Sequence, residues 1–137
     1  MFTITQENYQ NTTAYNDDNQ EMTVGAKFAV GRFTLGYQWS EEENGRTTTK
    51  TKYENDGYGV TFAVNDDLSI GYNHYESVQH NTTAGVNTTA EADSIQIAYT
   101  MGGASIRLAE AQADNMKYQT TAAYDRDATT ISVSLAF

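Results

Sequence analysis

Ile131, Val133, Leu135 and Phe137 alternate with Thr130, Ser132, Ser134 and Ala136 up to the last residue. A repeat of two is the signature of a β-strand, because apolar positions on a helix recur every three to four residues. One face of such a strand is greasy and the other is small and weakly polar, so its fold turns on which solvent each face meets. The same alternation recurs in Met22-Val24-Ala26-Phe28, Phe33-Leu35-Tyr37-Trp39, Tyr58-Val60-Phe62-Val64, Leu68-Ile70-Tyr72, Ile95-Ile97-Tyr99-Met101 and Ile106-Leu108. The chain is therefore read as all-β.

Three tight connections punctuate these runs, at Val30-Gly31-Arg32, Asn65-Asp66-Asp67 and Met101-Gly102-Gly103. They recur about every 35 residues, and Phe137 follows at the same interval, so the repeating unit is a hairpin plus a long loop. The polar stretches 11–20, 41–51, 79–90 and 114–127 fill the long loops. Eight strands are expected, over 2–9, 21–30, 32–41, 53–64, 68–78, 92–101, 104–113 and 128–137. At 137 residues the chain suits one domain.

A net charge of −10 opposes binding to nucleic acid or to an anionic lipid surface. Without cysteine there is neither a disulfide framework nor a thiolate metal site. No apolar run approaches the roughly 20 residues of a membrane-crossing helix. That test does not reach a membrane β-barrel, in which only every second residue faces lipid. Met1-Phe2-Thr3-Ile4-Thr5 offers neither a basic nor an apolar leader region, so the chain reads as a mature sequence or the carboxyl-terminal portion of a longer one.

The polar face separates a soluble sheet from a membrane wall. A water-facing surface is typically about a quarter or more Lys, Arg, Glu and Asp. Here it reads Thr23-Gly25-Lys27-Ala29, Thr34-Gly36-Gln38, Gly57-Gly59-Thr61-Ala63, Ser69-Gly71-Asn73, Ser94-Gln96-Ala98-Thr100 and Ser105-Arg107-Ala109, mostly small and uncharged. A lipocalin-like soluble barrel would have the opposite need. The hairpin rhythm, the Gly-rich polar faces, segments such as Phe33-Thr34-Leu35-Gly36-Tyr37 and Leu68-Ser69-Ile70-Gly71-Tyr72, and the closing Ile131-Ser132-Val133-Ser134-Leu135-Ala136-Phe137 resemble a Gram-negative outer-membrane general porin of the alphaproteobacterial type.

That resemblance implies an antiparallel up-and-down transmembrane β-barrel in the outer membrane. It implies short turns toward the periplasm, long loops outside, outer-membrane lipid as a partner, and passive diffusion of ions and small hydrophilic solutes through a water-filled channel. Phe2, Phe28, Phe33, Phe62, Tyr99 and Phe137 would form one aromatic girdle, and Tyr37, Trp39, Tyr58 and Tyr72 the other. Family members carry about sixteen strands, a constriction loop in the amino-terminal half, and assemble as homotrimers. Eight strands make either a complete small barrel or half of a sixteen-stranded porin. The inward Gly, Ala, Ser and Thr would under-fill a small barrel, whereas water fills a wide lumen, which favours the half.

Lys27, Arg32 and Arg107 are the candidate pore-lining cations by strand parity. The acidic loop residues, Asp17, Asp18, Glu41 to Glu43, Asp125 and Asp127, read as solvated loop charge and lack the ligand spacing of a calcium loop. No cofactor, metal site or enzymatic activity is expected: His74 and His80 are the only histidines, and His74 and Ser77 fall on opposite faces. Asn-Thr-Thr at 11–13, 81–83 and 87–89 reads as polar loop filler. The alternative function is a small eight-stranded barrel whose long loops act as an adhesin or surface-binding platform.

Overall fold

A computed structural model describes residues 1–9, 18–44, 51–81 and 85–136. Eight strands follow one another along the chain: β1 (Phe2–Tyr9), β2 (Asn19–Val30), β3 (Phe33–Glu43), β4 (Thr51–Ala63), β5 (Leu68–Asn81), β6 (Asn87–Met101), β7 (Ala104–Asp114) and β8 (Arg126–Leu135). Each pairs antiparallel with the next in a single up-and-down sheet. β1 and β8 do not pair, so the sheet is open. The chain has no proline, and the ladders run without a missing donor.

The short connections hold as expected. Gly31 and Gly102 take positive φ, 57° and 58°, a conformation that costs glycine nothing and that closes two-residue hairpins. At the β4–β5 turn the Asn65 side chain accepts from the amides of Asp67 (2.9 Å) and Leu68 (2.8 Å), substituting for a glycine by an Asx-type turn.

The opposite ends run longer than the alternation suggests. β3 continues through Glu42 and Glu43, β5 through Gln79 to Asn81, and β6 begins at Asn87 rather than Ala92. These residues pair because their neighbours do: Glu43 stands opposite Lys52, and His80 opposite both Lys52 and Asn87. The long-loop tips at 10–17, 45–50 and 82–84, and Phe137, lie outside the described residues.

The faces segregate sharply. No apolar side chain is buried among the described residues, and large ones such as Ile95, Ile131 and Val133 remain 56%, 70% and 64% exposed. Phe28, Leu35, Val60, Tyr72 and Ile95 share one register row on the apolar face. Gly36, Gly59, Asn73, Ser94, Ala111 and Ala128 share a row on the small-residue face.

Toward the long-loop ends the apolar face turns ionic, and the boundary is staggered. Counting out from the short turns, the continuous apolar run ends at Met22 on β2, Trp39 on β3, Tyr58 on β4, Tyr72 on β5, Ile95 on β6, Leu108 on β7 and Ile131 on β8, with Val78 recurring farther out on β5 beyond His74 and Glu76. In register, Met22 lies eight residues up β2 from Val30, whose row runs through Phe33, Phe62, Ile70 and Ile97 to Leu108 and Ile131. The boundary therefore descends by eight residues over the six steps from β2 to β8.

Candidate functional site

Three aromatic residues, Trp39, Tyr58 and Tyr72, occupy boundary positions, with Tyr37 one row below Trp39. The Tyr37 hydroxyl donates to Asp56 (2.5 Å) and Tyr72 donates to Asp93, which also meets His74 Nδ1 at 2.9 Å. The Tyr58 ring lies 6.3 Å from Tyr72 and 5.0 Å from His74. Tyr37 and Tyr72 thus aim their hydroxyls at the first carboxylates above. Farther out, Lys52 bridges Glu41 at 2.9 Å and approaches Glu54 at 3.8 Å, while His80 Nε2 meets Glu54 at 3.2 Å. The Glu41 carboxylate accepting from Lys52 holds that ammonium above the usual lysine range, against a small opposing effect of burial.

On the small-residue face the strands β4, β5 and β6 present no charged side chain among the described residues; their acids and bases all point to the other face. Lys27 stands on this face opposite Gly36, and Arg107 stands on it between Ala98 and Ser132. Arg32 does not. It sits in the β2–β3 turn, where its guanidinium donates to the Val64 carbonyl at 2.6 Å and ties two short turns together.

The β7–β8 connection folds back across this face. It forms two 3₁₀ turns, Met116–Tyr118 and Ala122–Tyr124, and reaches past β6 to β5 and β4. The Tyr118 hydroxyl lies 2.7 Å from Ser77 Oγ, and the Tyr118 ring packs 5.3 Å from that of Tyr53. Ser77, 4% exposed, is the one buried polar side chain among the described residues, and it also donates to Asn55 Oδ1 at 2.5 Å. Asn55 in turn accepts from Tyr75 (2.9 Å) and donates to Ser40 (3.2 Å).

Asn115, Lys117 and Tyr118 adopt left-handed φ of 54°, 59° and 57°. That conformation costs non-glycine residues about 1 kcal/mol or more each, so contacts must hold the segment there. Asn115 supplies two, donating from its amide to Asp125 (3.1 Å) and from its side chain to the Thr89 carbonyl (3.0 Å). Arg126 fastens the return with donations to the carbonyls of Ala123 and Asp125, both 2.7 Å.

The sequence gives no sign of this strap, since its anchor Ser77 is 41 residues from Tyr118. Tyr53, Asn55, Tyr75 and Ser77 do share one face of β4 and β5, but nothing in them names a partner beyond the sheet. His74 and Ser77 point to opposite faces, as expected, and take separate partners. No protein-family model, curated protein or solved structure matches the chain.

Proposed function

We propose that this chain forms the wall of an outer-membrane channel for passive diffusion of ions and small hydrophilic solutes, with its apolar face toward lipid and its small-residue face toward water. The staggered tyrosine boundary carries this reading. Eight residues at about 3.3 Å rise amount to about 26 Å along the strands, against about 29 Å for six interstrand steps of about 4.8 Å. A level boundary with that stagger belongs to strands inclined by roughly 40°, the tilt of transmembrane barrels. A soluble sheet has no reason to keep its apolar edge level with an axis outside itself.

Lipid also accounts for the exposed apolar side chains, which no other element covers, and for phenols at the rim between hydrocarbon and polar layers. The open edges β1 and β8 both begin or end at the short-turn rim and run in opposite senses, so the sheet can continue as a larger antiparallel wall. A porin-type pore of more than eight strands, trimeric as in the resembling family, fits the small wall residues. Within it the strap at 115–125 narrows the lumen beside β4 and β5.

The test is conductance of the refolded chain in a planar bilayer, beside a version extended with any native upstream sequence. Discrete steps from either are expected; a folded, lipid-inserted protein that stays silent in both forms overturns the channel. Such silence would favour the adhesin-type barrel, whose supporting observation is the extension of β4 to β6 beyond the tyrosine boundary.

A further inference from the structure

The strap's anchoring network ends at a hollow on the small-residue face, and its chemistry specifies a ligand. The hollow has a volume of about 630 Å³ and takes Lys27, Gln38, Asn55, Asn73 and Tyr75 among its walls, with Gly36, Gly57 and Gly59 beneath. A Cβ at Gly57 would make ordinary contact with the Tyr75 ring at 3.5 Å, and one at Gly59 would displace the Asn73 carboxamide. The Tyr75 ring is thus laid along the backbone, 46% exposed, and its hydroxyl is fixed by Asn55, which Ser77 joins to the strap.

We infer that this hollow is a binding site for an uncharged, polyhydroxylated ring, a saccharide unit, with Tyr75 as its stacking platform. This rests on the reading that the small-residue face meets water. The C–H face of a pyranose is apolar and its rim carries hydroxyls that both donate and accept. A fixed aromatic ring beside carboxamides supplies both kinds of contact, since each amide offers a donor and an acceptor. Gln38 on β3 shares the row of Gly57 and Tyr75 across β4, and Asn73 stands two residues from Tyr75 on β5, in the row of Gly59. Charge argues the same way. Although the chain carries −10 overall, Lys27 is the one ionic side chain with its strand position on this face of the hollow. A site for a cation would need the carboxylates that here point away, such as Asp56 and Glu76, and a site for an anion would need more than one cation. The volume accommodates one to two sugar rings within the usual range of small-molecule sites.

The experiment is saturation-transfer NMR and titration calorimetry of maltose and of sodium gluconate against the refolded full chain in detergent micelles, with strand content verified by circular dichroism. Saturable maltose binding in the millimolar range is expected. It should weaken about tenfold in Tyr75→Ala, survive largely in Tyr75→Phe, and be unchanged in Glu76→Gln on the opposite face. Folded protein that does not bind maltose saturably, binding indifferent to Tyr75→Ala, or tighter binding of gluconate than of maltose would each overturn the site. Conductance is read on the same preparations. Ion steps without sugar binding leave the channel and remove the saccharide site; Tyr75-dependent binding without steps keeps the site and removes the channel.

Discussion

The two ends of the sheet are held in different ways. At the short-turn end, Val30 pairs with Phe33, Phe62 with Ile70 and Tyr99 with Ile106 along the backbone ladder, and side-chain polar contacts are few. At the long-loop end the same strands carry the Tyr37–Asp56 and Tyr72–Asp93 bonds, the Lys52–Glu41 bridge on one face, and the Ser77–Asn55–Tyr118 network on the other. A wall that meets hydrocarbon gains nothing from side-chain polarity there and must satisfy its backbone internally. Where it emerges into water, apolar contact no longer discriminates between registers, and side-chain bonds take over that role. Under the proposed membrane reading, the tyrosine boundary is the line where one regime gives way to the other.

The largest effect expected is from a charge placed in the lower regime. Leu35→Arg, on the apolar face between Phe28 and Val60, should destabilise the lipid-inserted protein by about 2–4 kcal/mol, measured by urea unfolding in bilayers. Glu54→Arg, above the boundary on β4, should cost less than about 1 kcal/mol, because that position is already solvated. Equal costs at the two sites would erase the distinction and with it the membrane reading. The depth of the band sharpens the point. From Phe33 to Trp39 it spans six residues, about 20 Å of strand and about 15 Å of depth at the inferred tilt. That is thin for a bilayer, so insertion should be faster and more complete in lipids with twelve-carbon chains than with eighteen-carbon chains.

The strap comes next. Tyr118→Ala removes both the Ser77 bond and the Tyr53 packing from a segment that already carries three left-handed residues. Release of that strap should raise single-channel conductance, by roughly a factor of two if 115–125 is the narrowest point. Tyr118→Phe keeps the packing and should fall between. A conductance unchanged in Tyr118→Ala, with the strap shown to be released by proteolysis, would place the constriction elsewhere. Selectivity is a finer probe of the same wall. Lys27→Glu and Arg107→Glu should each shift reversal potentials toward cations, while Arg32→Glu should shift them less, because Arg32 is in the turn.

What could be read from the sequence follows the same division. The centres of the eight strands, their pairing order and the two faces were legible, because a period of two written in Val, Ile, Leu and aromatics leaves one consistent arrangement. The glycine turns were legible through their φ requirement. Strand ends were not: Glu41-Glu42-Glu43 and Asn87-Thr88-Thr89 have no apolar alternation and are extended only because a neighbouring strand offers its backbone and, at Lys52, a countercharge. The strap was invisible for a deeper reason. Only Asn115 is of a type that favours left-handed backbone; Lys117 and Tyr118 are not, and the segment is held there by partners on β4, β5 and β6. Of the three proposed lining cations, Lys27 and Arg107 stand in strand interiors and Arg32 in the β2–β3 turn.

The smallest expected effect lies on the outermost rung of the upper regime. Lys52 gains its main stabilisation as a cation from the Glu41 carboxylate, so its folded pKa is raised and the contribution has a definite sign. The pair helps at every pH below the ordinary lysine value and is lost only as pH climbs through the raised one. Across pH 6 to 9 the long-loop end should therefore show no change traceable to Lys52. Both side chains are about a third exposed, which limits the bridge to less than about 1 kcal/mol. Titration of the Lys52 side-chain carbon resonance should give a midpoint above 10.5, returning toward that value in Glu41→Gln. A midpoint that does not move in Glu41→Gln would mean that this rung is not held by the pair. The upper regime would then rest at that point on backbone pairing alone, as the lower one does.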